Sequence, residues 1–67
     1  MSVYKRIELV GTSEESWEDA ARQAVDRASD SLRDLRVAEV EEMDMVIEDG
    51  RVQAYRARVK VSFKYEG

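Results

Sequence analysis

The sequence contains no cysteine, no histidine and no proline, and it has only one tryptophan and three glycines. Without cysteine, neither disulfides nor thiolate metal sites are possible. Without histidine, the chain lacks the commonest transition-metal ligand and the usual general base at neutral pH. Because no convincing nucleophile–base pair remains, we expect no enzymatic activity. Carboxylates are present, so a hard cation such as calcium or magnesium is the metal class that the chain can bind.

Long apolar runs are also missing. No segment approaches the roughly 20 apolar residues that a membrane span needs. Residues 1–10 are too short and too charged for a signal peptide, so we expect a cytoplasmic protein without membrane contacts. The length of 67 residues predicts a single domain, residues 1–67. A chain this short buries only about 60% of its unfolded surface, and oligomerisation is the leading source of further stability.

The first half of the chain reads as a strand followed by a helix. Residues 3–10 predict a strand that ends at Gly11, although their alternation is imperfect. Thr12 followed by Glu15 fits a capping box, and the apolar spacing beyond it predicts a helix over about 14–34. The apolar stripe of this helix consists of Trp17, Ala20, Ala21, Ala24, Val25, Ala28, Leu32 and Leu35.

The second half reads as a long hairpin. Residues 36–47 and 52–65 predict two strands, and Asp49-Gly50 between them is a strong signal for a two-residue turn. The element order is therefore β-α-β-β, which places the protein in the α+β class. Charged residues make up 39% of the sequence but alternate with apolar ones, a pattern that favours folding over disorder.

A two-residue turn at 49–50 fixes the register of the hairpin. The predicted pairs on one face are Glu41–Arg58, Glu39–Lys60, Met43–Arg56 and Val37–Ser62; on the other face they are Val40–Val59 and Ala38–Val61. The row of cations in the last strand is then half of a mixed-charge ladder, whose pairs contribute about 0.2–1 kcal/mol each. Such compensated cations argue against nucleic-acid binding. Arg56, opposite Met43, is the cation most available to a ligand.

The hairpin is longer than the helix that has to cover it. Strands of 12 residues extend about 40 Å, whereas a helix of 20 residues is about 30 Å long. The far end of the hairpin, which contains Met43, Met45 and Ile47, is therefore predicted to extend beyond the helix. Exposed methionine and isoleucine side chains beside acids indicate a contact surface with another subunit.

Glu42 and Asp44 also lie in this far part, on one strand face and opposite Ala57 and Tyr55 in the predicted register. They form a candidate site for a cation across a symmetry axis of an oligomer. The alternative is that both are solvated or paired acids. The nearby Glu48-Asp49 pair is turn chemistry, since it lacks the ordered oxygen ligands of a calcium loop.

The order YKRIELVGTSEESWEDAARQAVDRA, then AEV, a hairpin and a final VKVSF resembles the dodecin family over nearly the whole chain. VGTSEES at the start of the helix is the most specific part of the match. The resemblance implies one helix against a three-stranded antiparallel sheet, assembled into a hollow homododecamer. It also implies binding of riboflavin, FMN or FAD as stacked pairs between subunits, for storage or sequestration rather than turnover.

The sequence departs from this family where a flavin would bind. Val37 stands at the position of a tryptophan that stacks on the flavin ring, and Arg56 at that of a glutamine that hydrogen-bonds it. Arg56 can replace part of this role, because a guanidinium stacks on π-faces and donates hydrogen bonds. Arg36 is placed to reach a ring edge or phosphate. The flavin site implied by the resemblance therefore comprises Arg36, Val37, Glu42 and Arg56.

Two functions from different classes remain open. The first is a flavin-binding storage shell, which the resemblance favours. The second is a structural or cation-binding shell without flavin, with Glu42 and Asp44 as the cation ligands. The lone tryptophan, Trp17, starts the helix stripe and is interpreted as a core or interface anchor, with a flavin contact as the alternative.

Overall fold

The computed structural model describes residues 2–65, which form three strands and one helix. The elements are β1 (Tyr4–Ser13), α1 (Trp17–Ser31), β2 (Leu35–Glu48) and β3 (Arg51–Lys64). The predicted β-α-β-β order is confirmed. All pairings are antiparallel and the strand order is β1-β3-β2, so the last strand lies in the centre of the sheet.

The helix begins later and ends earlier than the sequence pattern predicted. Ser16 is its N-cap, and the Ser16 side chain accepts a hydrogen bond of 3.0 Å from the backbone amide of Asp19. The predicted capping box of Thr12 and Glu15 is wrong, because β1 continues through Thr12 and the chain turns only after it. The helix ends at Ser31 instead of residue 34.

The core lies between α1 and one face of the sheet. The alanine stripe of the helix packs on small and β-branched side chains of β3, as the spacing predicted; the fully or nearly buried residues are Ala20, Ala24, Ala28, Ala57, Val59 and Val61. The helix approaches β1 closely at Gly11, since a Cβ atom there would lie 1.9 Å from the carbonyl oxygen of Ala20.

The hairpin turn is the predicted one. Asp49 and Gly50 are the two residues between β2 and β3, and both have positive φ, at 53° and 74°. Positive φ at both central positions is the requirement of the type I′ turn, which matches the twist of antiparallel strands.

The predicted register is correct at both ends of the hairpin and wrong in its middle. Val37, Ala38, Glu39 and Val40 face their predicted partners, and so does the segment next to the turn. Between them the pairing is shifted by one residue, with an irregularity after Val40 and another after residue 46. An extra residue in one strand is a β-bulge, which changes the face on which the following side chains lie.

The bulge corrects four predicted contacts. Arg58 lies opposite Glu42 rather than Glu41, and Arg56 lies opposite Asp44 rather than Met43. Glu42 and Asp44 therefore do not lie opposite Ala57 and Tyr55, as the unbroken register required. The physical reason is that Glu41 takes the extra position in β2, so both acids move to the face that carries the cations.

The far end of the hairpin extends beyond the helix, as predicted. The molecule is 50 Å long but only 19 by 15 Å across. Apolar side chains on the helix side of β2 are 44–60% exposed, namely those of Val40, Met43, Met45 and Ile47. Within residues 2–65, the helix is too short and too polar to span a membrane.

Candidate functional site

The face of the sheet away from α1 carries most of the opposed charges and is called the charged face here. Because side chains alternate along a strand, burial of Ala57 and Val59 against the helix places Arg56, Arg58 and Lys60 on this opposite face. β2 contributes acids to the same face; they are Glu39, Glu42 and Asp44, with Glu41 at the bulge.

Arg56 and Asp44 form the best-defined contact of the charged face. The guanidinium donates two hydrogen bonds of 2.7 Å, from Nε to Oδ1 and from Nη2 to Oδ2. Parallel hydrogen bonds of this kind are the strong form of the arginine–carboxylate pair. The bonds from Arg56 lower the pKa of the Asp44 carboxyl, and the same bonds raise the pKa of Arg56.

The other cations of this face also have acidic partners. Arg58 contacts Glu42, and the Lys60 Nζ atom lies 3.2 Å from Oε1 of Glu41. Across the full width of the sheet, Arg6 of β1 reaches Glu39 of β2 at 2.6 Å. The prediction of a mixed-charge ladder is therefore confirmed, although its pairs differ from those predicted. Exposed ion pairs like these contribute at most about 1 kcal/mol each.

A shallow cleft of about 130 Å³ opens between the two arginine–acid pairs. Its lining residues are Val10, Glu42, Asp44, Arg56 and Arg58. Val10 comes from β1 and is 58% exposed, so it gives the cleft an apolar wall. The structure thus brings together Glu42, Asp44 and Arg56 of the predicted site residues.

Arg36 and Val37 lie apart from this cleft, at the start of β2. Arg36 is at an irregularity of the strand and its Nη2 atom lies 3.8 Å from Oδ1 of Asp34. Val37 is opposite Ser62 on the charged face and 59% exposed. Five positions of extended chain separate Val37 from Glu42, or about 16 Å. One chain therefore does not gather the four residues of the predicted flavin site into one pocket.

The carboxylates fit a hard cation by chemistry but are too few in one chain. Within residues 2–65, no three acidic side chains converge closely enough to hold a metal ion. Calcium takes six to eight oxygen ligands, and magnesium requires six. Glu42 and Asp44 supply at most part of such a shell, and each is paired with an arginine in this structure.

Trp17 is a neighbour of the site that the sequence pattern did not reveal. Its indole Nε1 donates a hydrogen bond of 2.9 Å to the backbone carbonyl of Asp44. The indole also packs edge-to-face on Tyr55, with ring centroids 5.0 Å apart and an interplanar angle of 71°. The predicted role of Trp17 as an anchor agrees with this packing. Its contact with Asp44 joins positions 27 residues apart, and no local pattern signals it.

Comparison with known proteins identifies close relatives. The sequence model of the Dodecin family matches residues 3–66. A Mycobacterium tuberculosis protein named calcium dodecin is 53% identical over 96% of this chain and 90% of its own length. A Thermus thermophilus protein named dodecin is 44% identical over 96% of this chain and 93% of its own length.

A solved structure gives the same result for the fold. Calcium dodecin from Mycobacterium tuberculosis superimposes with a TM-score of 0.86 at 52% identity, over 97% of this chain and 93% of that one. That structure is described as a calcium-chelating antigen with a novel calcium-binding site.

Proposed function

This chain belongs to the dodecin family, and from that premise we propose that it forms a hollow homododecamer that binds calcium. The observation that carries the proposal is the placement of Glu42 and Asp44, whose side chains are 66% and 54% exposed on the charged face. Exposed carboxylates are ligands of hard cations. The relative named calcium dodecin supports calcium as the ion.

Assembly into a shell follows from what one chain leaves uncovered. The helix side of β2 exposes four large apolar side chains, and a soluble monomer of this size rarely exposes such a continuous row. The chain has no disulfide to compensate for a small core. Contact between copies covers the exposed row and supplies the missing burial.

The same assembly completes the ligand shell. Residues 2–65 of one chain contain no converging group of three acids, so we assign the further carboxylates of the site to neighbouring subunits. Closed symmetry places copies of the same strand around an axis and multiplies each carboxylate by the number of subunits that meet there. Glu42 and Asp44 are the ligands that we assign.

Binding exchanges partners on the charged face. Glu42 and Asp44 leave Arg58 and Arg56, and a divalent ion takes their oxygens. Because the ion pairs are exposed, water solvates the separated groups and offsets much of the cost of parting them, which permits the exchange. Calcium affinity therefore depends on how strongly the arginines compete.

Calorimetric titration with calcium chloride tests the proposal after dialysis against a chelator. We expect saturable heat for the wild type, strongly reduced heat for Glu42→Gln and Asp44→Asn, and wild-type behaviour for Asp26→Asn, whose acid is exposed on the helix. Light scattering on the same samples gives the subunit number. Absence of calcium binding by an intact oligomer would refute the proposal.

Flavin binding is the second candidate, and a different observation favours it. Val10 and Val37 are apolar side chains on the charged face, and they are 58% and 59% exposed. A flat aromatic ring system can cover them. Against it, both donor atoms of Arg56 that face Asp44 are engaged. Titration with riboflavin and FMN distinguishes the candidates: flavin binding that weakens in Arg56→Ala with the oligomer intact supports this function.

A further inference from the structure

Trp17 contacts both strands that carry the Asp44–Arg56 pair. Its Nε1–H donates to the main-chain oxygen of Asp44 in β2, and its ring packs on Tyr55, the residue before Arg56 in β3. Within residues 2–65, this is the one side-chain hydrogen bond that joins α1 to β2. One side chain at the start of the helix thus holds the hairpin at the level of the pair.

We infer that Trp17 is a positioning residue for Asp44, fixing the main chain from the helix side so that the carboxylate is presented in one orientation on the charged face. The effect of Trp17 on calcium affinity rests on the proposed calcium function. Its effect on the orientation of Asp44 does not, because that effect concerns only the pair of Asp44 and Arg56. It adds to the site a residue that bonds to the main chain of Asp44 rather than to its carboxylate.

The physical reason is the position of Asp44 in the fold. β2 is an edge strand with ladder hydrogen bonds on one side only, and it is irregular on both sides of this segment. Such a segment moves more easily than a central strand. A ligand carboxylate that is already held in place loses less freedom when it binds an ion, and so binds it more tightly.

Two substitutions remove the hydrogen bond of Trp17 while keeping an aromatic ring in its place. Trp17→Phe keeps an aromatic ring against Tyr55 and removes the Nε1–H donor. Replacing Trp17 by β-(3-benzothienyl)alanine preserves the shape of the indole and exchanges only its N–H for sulfur. The second variant keeps the test decisive where phenylalanine prevents assembly.

The first readout needs no calcium. Arg56 Nε–H donates to Asp44, so its hydrogen exchange, followed by NMR at pH 6 in chelator, reports how well the pair is held. We expect exchange about three- to tenfold faster in both variants, because one hydrogen bond that restrains Asp44 is gone. Unchanged exchange in the benzothienyl variant overturns the inference.

The second readout is the calcium dissociation constant, measured with calcium chloride. Measured in an Arg56→Gln background, where Arg56 no longer competes for Asp44, it should rise about three- to tenfold in both variants, with the oligomer mass unchanged. Wild-type protein that binds no calcium refutes the proposed function, while the exchange of Arg56 still decides on Trp17. Calcium bound equally with and without the Trp17 substitutions in that background overturns the role of Trp17 and leaves the proposed function standing.

Discussion

Asp44 and Arg56 lie opposite each other in the hairpin and share two hydrogen bonds of 2.7 Å. The contact exists because Glu41 occupies a bulge and shifts the next residues of β2 to the charged face. Arg56, which the sequence predicts as a flavin contact, is therefore engaged by an acid of the same subunit. The pair opposes flavin binding through Arg56 and competes with cation binding through Asp44.

The first prediction concerns this competition. Arg56→Gln removes the cation that holds Asp44, so we expect calcium binding to tighten about three- to tenfold. Calorimetry at two salt concentrations measures the change, and the gain should shrink at high salt because the pair is exposed. Arg51→Gln, an exposed arginine beside the turn, is the matched control. Calcium affinity that is unchanged or weaker in Arg56→Gln contradicts the prediction.

The second prediction tests the close approach of helix and sheet at Gly11. A methyl group there meets the carbonyl oxygen of Ala20 at 1.9 Å, and backbone on both sides has little room to move. We expect Gly11→Ala to lower the free energy of unfolding by about 3 kcal/mol. Urea unfolding at one fixed subunit concentration measures the loss, since oligomer stability depends on concentration.

Gly50→Ala is the comparison for Gly11→Ala. Gly50 has φ of 74° but nothing within 4 Å of an added Cβ atom, so only backbone strain of about 1 kcal/mol is expected. Equal losses at the two glycines would show that the helix does not press on Gly11 as described.

The third prediction concerns the buried hydroxyl of Ser13. It donates to Oδ2 of Asp19 at 2.7 Å and accepts from the amide of Glu15 at 2.9 Å, just ahead of the helix. Ser13→Ala deprives the Glu15 amide of this acceptor and leaves Oδ2 of Asp19 with only its bond from Gln23, so we expect a loss of about 1–2 kcal/mol in unfolding free energy. Ser29→Ala, which removes an exposed hydroxyl bonded to the backbone of Asp26, should cost at most about 0.5 kcal/mol.

The pH dependence of this loss has a definite sign. Hydrogen bonds from Ser13 and Gln23 lower the pKa of Asp19 below its ordinary value of 3.8. A depressed folded-state pKa stabilises the protein fully above the unfolded-state pKa, and the contribution disappears as pH falls through the folded-state value. The difference between the wild type and Ser13→Ala should therefore be constant at pH 5–7 and shrink below about pH 4. A difference that grows in acid would contradict this assignment.

The sequence predicts those parts of the fold that local signals determine. Asp49-Gly50 specifies the turn, and the spacing of Ala20, Ala24 and Ala28 specifies the buried side of the helix. The helix start was misplaced because Thr12 offers the same capping chemistry as Ser16, and only the length of β1 decides between them.

The site was less predictable because it depends on a bulge and on contacts between distant residues. One signal was present: Val40 and Met43 are three positions apart, which breaks the alternation that holds before and after them. Read as a bulge, this spacing predicts Asp44 opposite Arg56. The hydrogen bond from Trp17 to Asp44 has no such signal, since it depends on where the helix starts over the sheet.

The last prediction returns to the missing aromatic platform. Val37 is exposed on the charged face, so Val37→Trp adds an aromatic surface without displacing core side chains. Stacking on an aromatic ring contributes about 1–3 kcal/mol. Riboflavin affinity should therefore rise about tenfold to hundredfold, provided that a neighbouring subunit of the oligomer encloses the other side of the flavin ring. Calorimetry with riboflavin and quenching of riboflavin fluorescence measure the gain.

Val3→Trp separates a flavin site from general stacking. Val3 is 63% exposed and lies outside the strands, so a tryptophan there offers an equal aromatic surface without the neighbours of Val37. Gain at Val37 alone means that the pocket between subunits retains its flavin geometry and lacks only the platform. Equal gains at both positions, or none, would mean that the charged face around Val37 no longer forms a flavin pocket.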